Sequence, residues 1–268
     1  MLIYFKDFFV LKAKKSFGQH FLNREDIAER IADSLSPQAK DSLVIEIGPG
    51  RGMLTKYLID KYNQLLVIEA DQDMVLFLHK HYPVLKNSIV SADFLKVDLA
   101  ALSQNRDFAL IGNFPYNIST QILFKMLEYK TLIPELVGMF QKEVAQRVVA
   151  PPGSKIYGVT SVLVQAFYEG EYLFSVDKGS FTPPPKVQSG VIRLRRKENY
   201  ELACDVKLFK QIVKQAFGQR RKMLRNTMKS FLKDDPLLKD PFFEKRPEKL
   251  SVEDFVQLTQ EVQKRIVN

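Results

Sequence analysis

Residues 113–116, Asn-Phe-Pro-Tyr, put a short amide, a stiff imide and a flat phenol at the end of an apolar run, 108–111, that has the length and composition of a buried strand. Gly112 is read as ending that strand. Proline removes a backbone donor and stiffens the turn, and tyrosine offers a flat face beside the amide. Such a set suits a planar ring carrying an amino group, which the amide can bond and the phenol can stack on. An Asx-type turn over a core aromatic would use the same residue types. The strands upstream decide between the two.

Residues 43–47 read as a buried strand running into Gly48-Pro49-Gly50-Arg51-Gly52, with a helix at about 53–62. The G-x-G-x-G spacing is followed by Met53 and lacks the last small residue of a dinucleotide fingerprint, which argues against NAD. Its glycines let the backbone come close to a ligand. A second strand, 64–68, ends at Glu69, where a carboxylate can accept from both hydroxyls of a ribose, and a third, 89–92, ends at Asp93. The fourth, 108–111, leads to Asn113. In an open parallel sheet ligands bind outside the carboxyl ends of the strands, so these ends would line one crevice. Any one of them could be an ordinary helix cap, but caps alone do not explain all of them together.

Further strands at 136–140, 172–176 and 190–194 complete a mostly parallel, seven-stranded α/β sheet of Rossmann-like type, with helices at about 142–149 and 157–167 around a Pro-Pro-Gly-Ser-Lys loop. The connector Phe181-Thr182-Pro183-Pro184-Pro185 is held extended by its prolines. It could mount Phe181 at the rim of the site or serve as a stiff surface linker. At the other end, the basic segment from Lys14 and Lys15 to Leu22 precedes Asn23, a cap for a helix to about residue 35.

Beyond Lys197 the strands stop. A helical pattern over 205–233 carries Val206, Phe209, Val213, Phe217, Leu224, Met228 and Phe231 near one stripe at a period of about 3.6. Its other face is almost purely basic, with Arg220, Arg221, Lys222 and Arg225 clustered, whereas solvated charge runs usually balance in sign. A last helix is expected over 251–266. The chain thus divides into 1–197, with 1–13 an unexplained arm, and a small all-α basic domain at 198–268.

A length of 268 residues with 46% hydrophobic side chains supports a large core, and a net charge of +9 suits a polyanionic partner. The single cysteine, Cys204, excludes an internal disulfide, and with only His20, His79 and His81 no metal centre is expected. Residues 1–10 are aromatic-rich but interrupted by Lys6 and Asp7, and no stretch has the length of a membrane span. A cytoplasmic protein without a membrane partner is expected.

Phe17-Gly18-Gln19-His20-Phe21-Leu22, Glu46-Ile47-Gly48-Pro49-Gly50-Arg51-Gly52, Asn113-Phe114-Pro115-Tyr116-Asn117-Ile118-Ser119, Phe181-Thr182-Pro183-Pro184-Pro185-Lys186-Val187 and Phe217-Gly218-Gln219-Arg220-Arg221-Lys222 occur in this order. Together they resemble the small-subunit (16S) ribosomal RNA adenine dimethyltransferases of the KsgA type, class I S-adenosylmethionine (SAM) methyltransferases, from about Lys14 onward. The resemblance implies N6,N6-dimethylation of two adjacent adenosines in the 3′-terminal hairpin of small-subunit rRNA, on an immature subunit, by a monomer. It implies that His20, Leu22, Gly48, Gly50 and Gly52 lie at the methionine end of SAM. Glu69 would hold the ribose, Asp93 the adenine, and Asn113 both cofactor and target. Glu46 is expected to orient the glycine turn and the cofactor.

Asn113 and a carbonyl near Phe114-Pro115 would accept the adenine N–H bonds, with Tyr116 and Phe181 stacking on the base. Lys14, Lys15, Arg220, Arg221, Lys222 and Arg225 would meet RNA phosphates. The family more often has leucine at Phe114, asparagine at His20 and an acidic residue at Gln188. The competing readings are a large-subunit (23S) rRNA adenine methyltransferase of the macrolide-resistance type, a DNA adenine methyltransferase, and a ribosome assembly factor with methylation secondary. The triple-proline connector and the basic C-terminal motif favour the small-subunit type.

Overall fold

The computed structural model describes residues 13–266. The strands in chain order are β1 (Phe21–Leu22), β2 (Leu43–Ile47), β3 (Gln64–Glu69), β4 (Ile89–Ser91), β5 (Phe108–Asn113), β6 (Glu135–Gln141), β7 (Tyr168–Val176), β8 (Phe181–Thr182) and β9 (Ser189–Arg196). The main sheet is seven-stranded in the order β4-β3-β2-β5-β6-β9-β7, parallel from β4 to β6 and antiparallel where β9 meets β6 and β7. The strand order reverses between β2 and β5, which puts a crevice beyond the ends Ile47 and Asn113.

The inner strands are apolar on both faces because both are covered. Leu43, Ile45 and Ile47 join one apolar cluster, and Val44 joins the other. Helices Glu25–Ala32, Thr55–Lys61 and Gln72–His81 close the second cluster through Ile31, Leu58 and Leu78. The first cluster continues without a break into Phe209, Val213, Phe255 and Val262 of the C-terminal helices.

Among the boundaries that move, two bear on the site and the basic face. β5 runs through Gly112, which pairs in register with Gly138 of β6, and the buried Phe114 ring lies over both. A Cβ on Gly138 would come within 2.2 Å of that ring, so the paired glycines are the space that Phe114 occupies. The single helix expected over 205–233 is instead Val206–Gly218, Leu224–Thr227 and Lys229–Leu232. Leu224 N bonds Lys245 O at 2.9 Å, which draws the chain off the first axis while Leu224, Met228 and Leu232 keep the buried stripe. The basic residues 220–222 therefore sit in the turn between helices. Residues 1–12, and with them nearly all of the arm expected at 1–13, lie outside the described residues; the last helix is Val252–Ile266.

Candidate active site

The crevice is a cavity of about 680 Å³ walled by the ends of β2, β3, β4 and β5 and by residues 16–23. At the end of β2, Gly48, Gly50 and Gly52 all take positive φ. Glu69, at the end of β3, binds this turn, accepting from Gly50 N at 3.0 Å and from Asp71 N at 2.9 Å. Burial raises the pKa of Glu69, and those backbone bonds offset part of the effect. Glu46 lines the cavity too, but it accepts from Thr55 Oγ1 at 2.7 Å, at the start of the following helix. Burial pushes its pKa up to about 8, with the Thr55 bond opposing and the Glu69 charge adding. The carboxylate bonded to the glycine turn is thus Glu69, where Glu46 was expected.

Asp93 follows β4 and caps the short turn Phe94–Lys96, accepting from Leu95 N at 3.0 Å while facing the cavity with Phe94 and Leu95. Capping and cavity lining coexist there. At the end of β5, the amide of Asn113 donates through Nδ2 to the carbonyl of His20 at 3.0 Å. That bond assigns the nitrogen to the His20 side, so Oδ1 is the atom left to accept. The Pro115 carbonyl accepts from Ile118 N at 3.1 Å. Tyr116 also lines the cavity; its phenol meets the hydroxyl of buried Ser189, and its ring lies 5.4 Å from that of His20. Burial raises the phenol's pKa against the Ser189 bond.

Residues 14–23 form a strap over this crevice. β1 pairs antiparallel with β8, and Asn23 N bonds Ser180 O. The His20 Nδ1–H donates to Pro183 O at 2.8 Å. On the far side, Lys14 Nζ lies 2.6 Å from Asp71 and 2.7 Å from Asp73, and Gln19 Nε2 donates to Asp71. Burial works against the Asp71 carboxylate, but its bonds from Lys14 and Gln19 outweigh that and hold its pKa low. Leu95 and Asp71 were not picked out from the sequence, and Phe17, Gln19 and Phe21 stood in a motif there without a role in the site. Asp71, two residues past a strand-end acid, was the available signal.

The cavity wall includes the expected His20, Leu22, Glu46, Gly48, Gly50, Glu69, Asp93, Asn113, Pro115 and Tyr116. Three expectations need correction. Gly52 is behind the wall: a Cβ there would fall 2.4 Å from the Tyr82 ring, whose hydroxyl donates to Gly52 O, so this glycine makes room for a packing tyrosine. Phe181 is 3% exposed and belongs to the apolar cluster, because its pairing with Leu22 turns the ring inward; Thr182 faces the cavity in its place. Lys14 is tied to two aspartates, which makes it a clasp of the strap. Of Lys15 only the backbone, in a short turn, is described.

In the C-terminal region Arg220 reaches Ser154 O at 3.4 Å and Glu248 at 3.9 Å, and Arg225 pairs with Glu244 at 3.4 Å. Arg221 and Lys222 are exposed. The cluster at 220–225 is therefore partly neutralised, and within it Arg221 and Lys222 carry the open charge.

Residues 10–264 match the family model described as ribosomal RNA adenine dimethylase. The chain is 55% identical to the ribosomal RNA small subunit methyltransferase A of Flavobacterium johnsoniae, covering 94% of this chain and 97% of that one. It is 50% identical to the protein of the same name from Phocaeicola vulgatus over 97% of this chain and 92% of that one. Among solved structures it resembles a dimethyladenosine transferase from Plasmodium falciparum, with TM-score 0.78, 26% identity and coverage of 92% of this chain and 98% of that one. The fold also matches the 23S rRNA methyltransferase ErmE, with TM-score 0.67, 24% identity and coverage of 90% and 99%.

Proposed function

The chain belongs to the ribosomal RNA adenine dimethylase family, and from that membership we infer that its cavity carries out SAM-dependent dimethylation of rRNA adenine at N6. Relatives at 50–55% identity are named for the small subunit, which selects this substrate over the large-subunit reading. The ErmE likeness concerns the fold alone. The finer target we propose is two adjacent adenosines in the 3′-terminal hairpin, met on an immature subunit by a monomer in the cytoplasm. Residues 1–197 are assigned to methyl transfer and 198–268, the helical basic domain, to RNA contact.

The observation that carries the site assignment is the Asn113 amide, pinned by its nitrogen to His20 with its oxygen left to accept at the cavity wall. The residues present suit SAM. Turn backbone and the strap face one end, Glu69 and Asp93 offer acceptors at successive strand ends, and Phe94 and Leu95 give an apolar wall. The cavity volume lies in the range of small-ligand sites. When bound, SAM supplies an electrophilic sulfonium methyl.

The chain's task is to orient a poor nucleophile, since the lone pair of an adenine amine is delocalised into the ring. Asn113 Oδ1 accepts one N–H. With the Pro115 carbonyl bonded to Ile118, the Phe114 carbonyl is the second acceptor we assign. Together they turn the lone pair outward and meet the positive charge that grows on nitrogen in the transition state. No strong base is needed, because the nitrogen's proton becomes acidic only as the transfer proceeds. Tyr116, held by Ser189, stacks on the flipped base, worth about 1–3 kcal/mol and comparable with the cost of unstacking it. The buried Phe181 leaves the His20 ring as the aromatic beside Tyr116.

The test is transfer of labelled methyl from SAM to unmethylated small subunits, naked small-subunit rRNA and large-subunit rRNA, with modified positions mapped. Two dimethylated adenines in the small-subunit 3′ hairpin are expected. Label confined to large-subunit rRNA would overturn the assignment.

A further inference from the structure

Lys125 lies on the helix Ser119–Glu128 and is 7% exposed, yet its ammonium is not spent on a carboxylate. Nζ donates to the carbonyl of Phe94 at 2.7 Å and to that of Val97 at 2.5 Å, and it lies 5.3 Å from the centre of the Phe94 ring. Burial lowers its pKa, with the charges of Glu128, Asp93 and Asp98 opposing. A buried ammonium is costly unless its donors are satisfied, and an apolar side chain would fill this helix position at less cost. What the charge secures is a backbone shape.

The two carbonyls bracket the turn Phe94–Lys96. At its start Asp93 accepts from Leu95 N; at its end Val97 N donates to the Phe94 carbonyl at 3.4 Å, and Lys125 adds a second, charged donor to that carbonyl and one to the Val97 carbonyl. The turn is thus fixed from both ends, and Asp93, Phe94 and Leu95 all line the cavity. Lys125 stands on the helix that grows directly out of the Asn113–Tyr116 turn, so one side chain joins the β4 end of the crevice to the β5 end.

We propose that Lys125 is a positioning residue for cofactor recognition: by holding the Phe94 and Val97 carbonyls it sets the turn that presents Asp93 to the adenine amino group. The proposal rests on the reading of Asp93 as the adenine acceptor. Selectivity for adenine over a ring with oxygen at that position then depends on a residue that never touches the ligand.

The experiment is calorimetric titration of the full chain with S-adenosylhomocysteine and S-inosylhomocysteine, which differ in having an amino group or a carbonyl oxygen at position 6 of the base and in the proton that the carbonyl form carries on N1. Wild type, Lys125→Met and Lys125→Gln are compared, with a thermal melt of each. Wild type is expected to favour the adenosyl ligand by about tenfold or more, the worth of a hydrogen bond to a charged group. Lys125→Met should compress that ratio to about threefold or less, mainly by weakening the adenosyl ligand. Lys125→Gln, which keeps donors for a carbonyl, should fall between. If Lys125→Met does not fold, Lys125→Gln is read alone, and a wild-type ratio there overturns the proposal. An unchanged ratio in folded Lys125→Met, or equal weakening of both ligands, also overturns it. A wild-type ratio near one removes the Asp93 reading itself, and the role given to Lys125 with it.

Discussion

Replacing Asn113 with alanine removes two things: the oxygen offered to the adenine amine, and the nitrogen that holds the His20 carbonyl at 3.0 Å. Their effects fall on different measurements. Loss of one preorganised partner of a charge developing in the transition state costs about 10²–10³ in kcat. Loss of a neutral hydrogen bond to a half-buried carbonyl costs about 1 kcal/mol, or about fivefold in affinity for a ligand held under the strap. The Asn113→Ala protein should therefore bind S-adenosylhomocysteine within about fivefold of wild type by calorimetry. Single-turnover methyl transfer to small-subunit rRNA should fall at least a hundredfold, about the lower bound for such a group. Turnover within tenfold of wild type in a folded variant would refute the role given to the amide. Cofactor affinity lost a hundredfold with turnover intact would show that Asn113 serves only the strap.

The position of Phe181 makes a separate claim. Phe181→Ala should lower stability in denaturant unfolding by about 3–5 kcal/mol, as for a buried ring, and unchanged stability would return it to the rim of the site. Reversing charge at Arg221 and Lys222 should weaken rRNA binding and flatten its salt dependence by about one unit of slope for each phosphate no longer neutralised, with cofactor affinity unchanged. An unaltered salt slope would remove these residues from the RNA interface. Glu46 predicts a pH effect. Its folded pKa of about 8 lies above the ordinary carboxylate value, so the folded form holds a proton that the unfolded chain releases. The stability this proton represents is fully present below the unfolded pKa and is lost as pH rises towards 8. Unfolding measured across that window should show the decline in wild type and a shallower one in Glu46→Gln, where the raised pKa of Glu69 still contributes.

The strand ends and their order were legible in the sequence because they rest on local chemistry. A buried parallel strand must be an apolar run, a glycine turn must contain glycine, and an acid after a strand has few other reasons to recur. Glu69, Asp93 and Asn113 were placed in one crevice on that basis, and all three line it. The division of labour inside the crevice depends on distances between residues far apart in the chain. Sequence could not show that Glu69 bonds Gly50 while Glu46 bonds Thr55, or that Lys14 is spent on Asp71 and Asp73. It could not show that pairing with Leu22 buries Phe181. The long C-terminal helix failed for a related reason: a period of about 3.6 survives a change of axis, so the stripe was right and the helix was not. At the Asn-Phe-Pro-Tyr turn, sequence supplied an amide that could accept, and the fold decided which of its two ends does. It did so by setting the His20 carbonyl against the nitrogen and by pairing Gly112 with Gly138, which gives the Phe114 ring its seat beneath the turn.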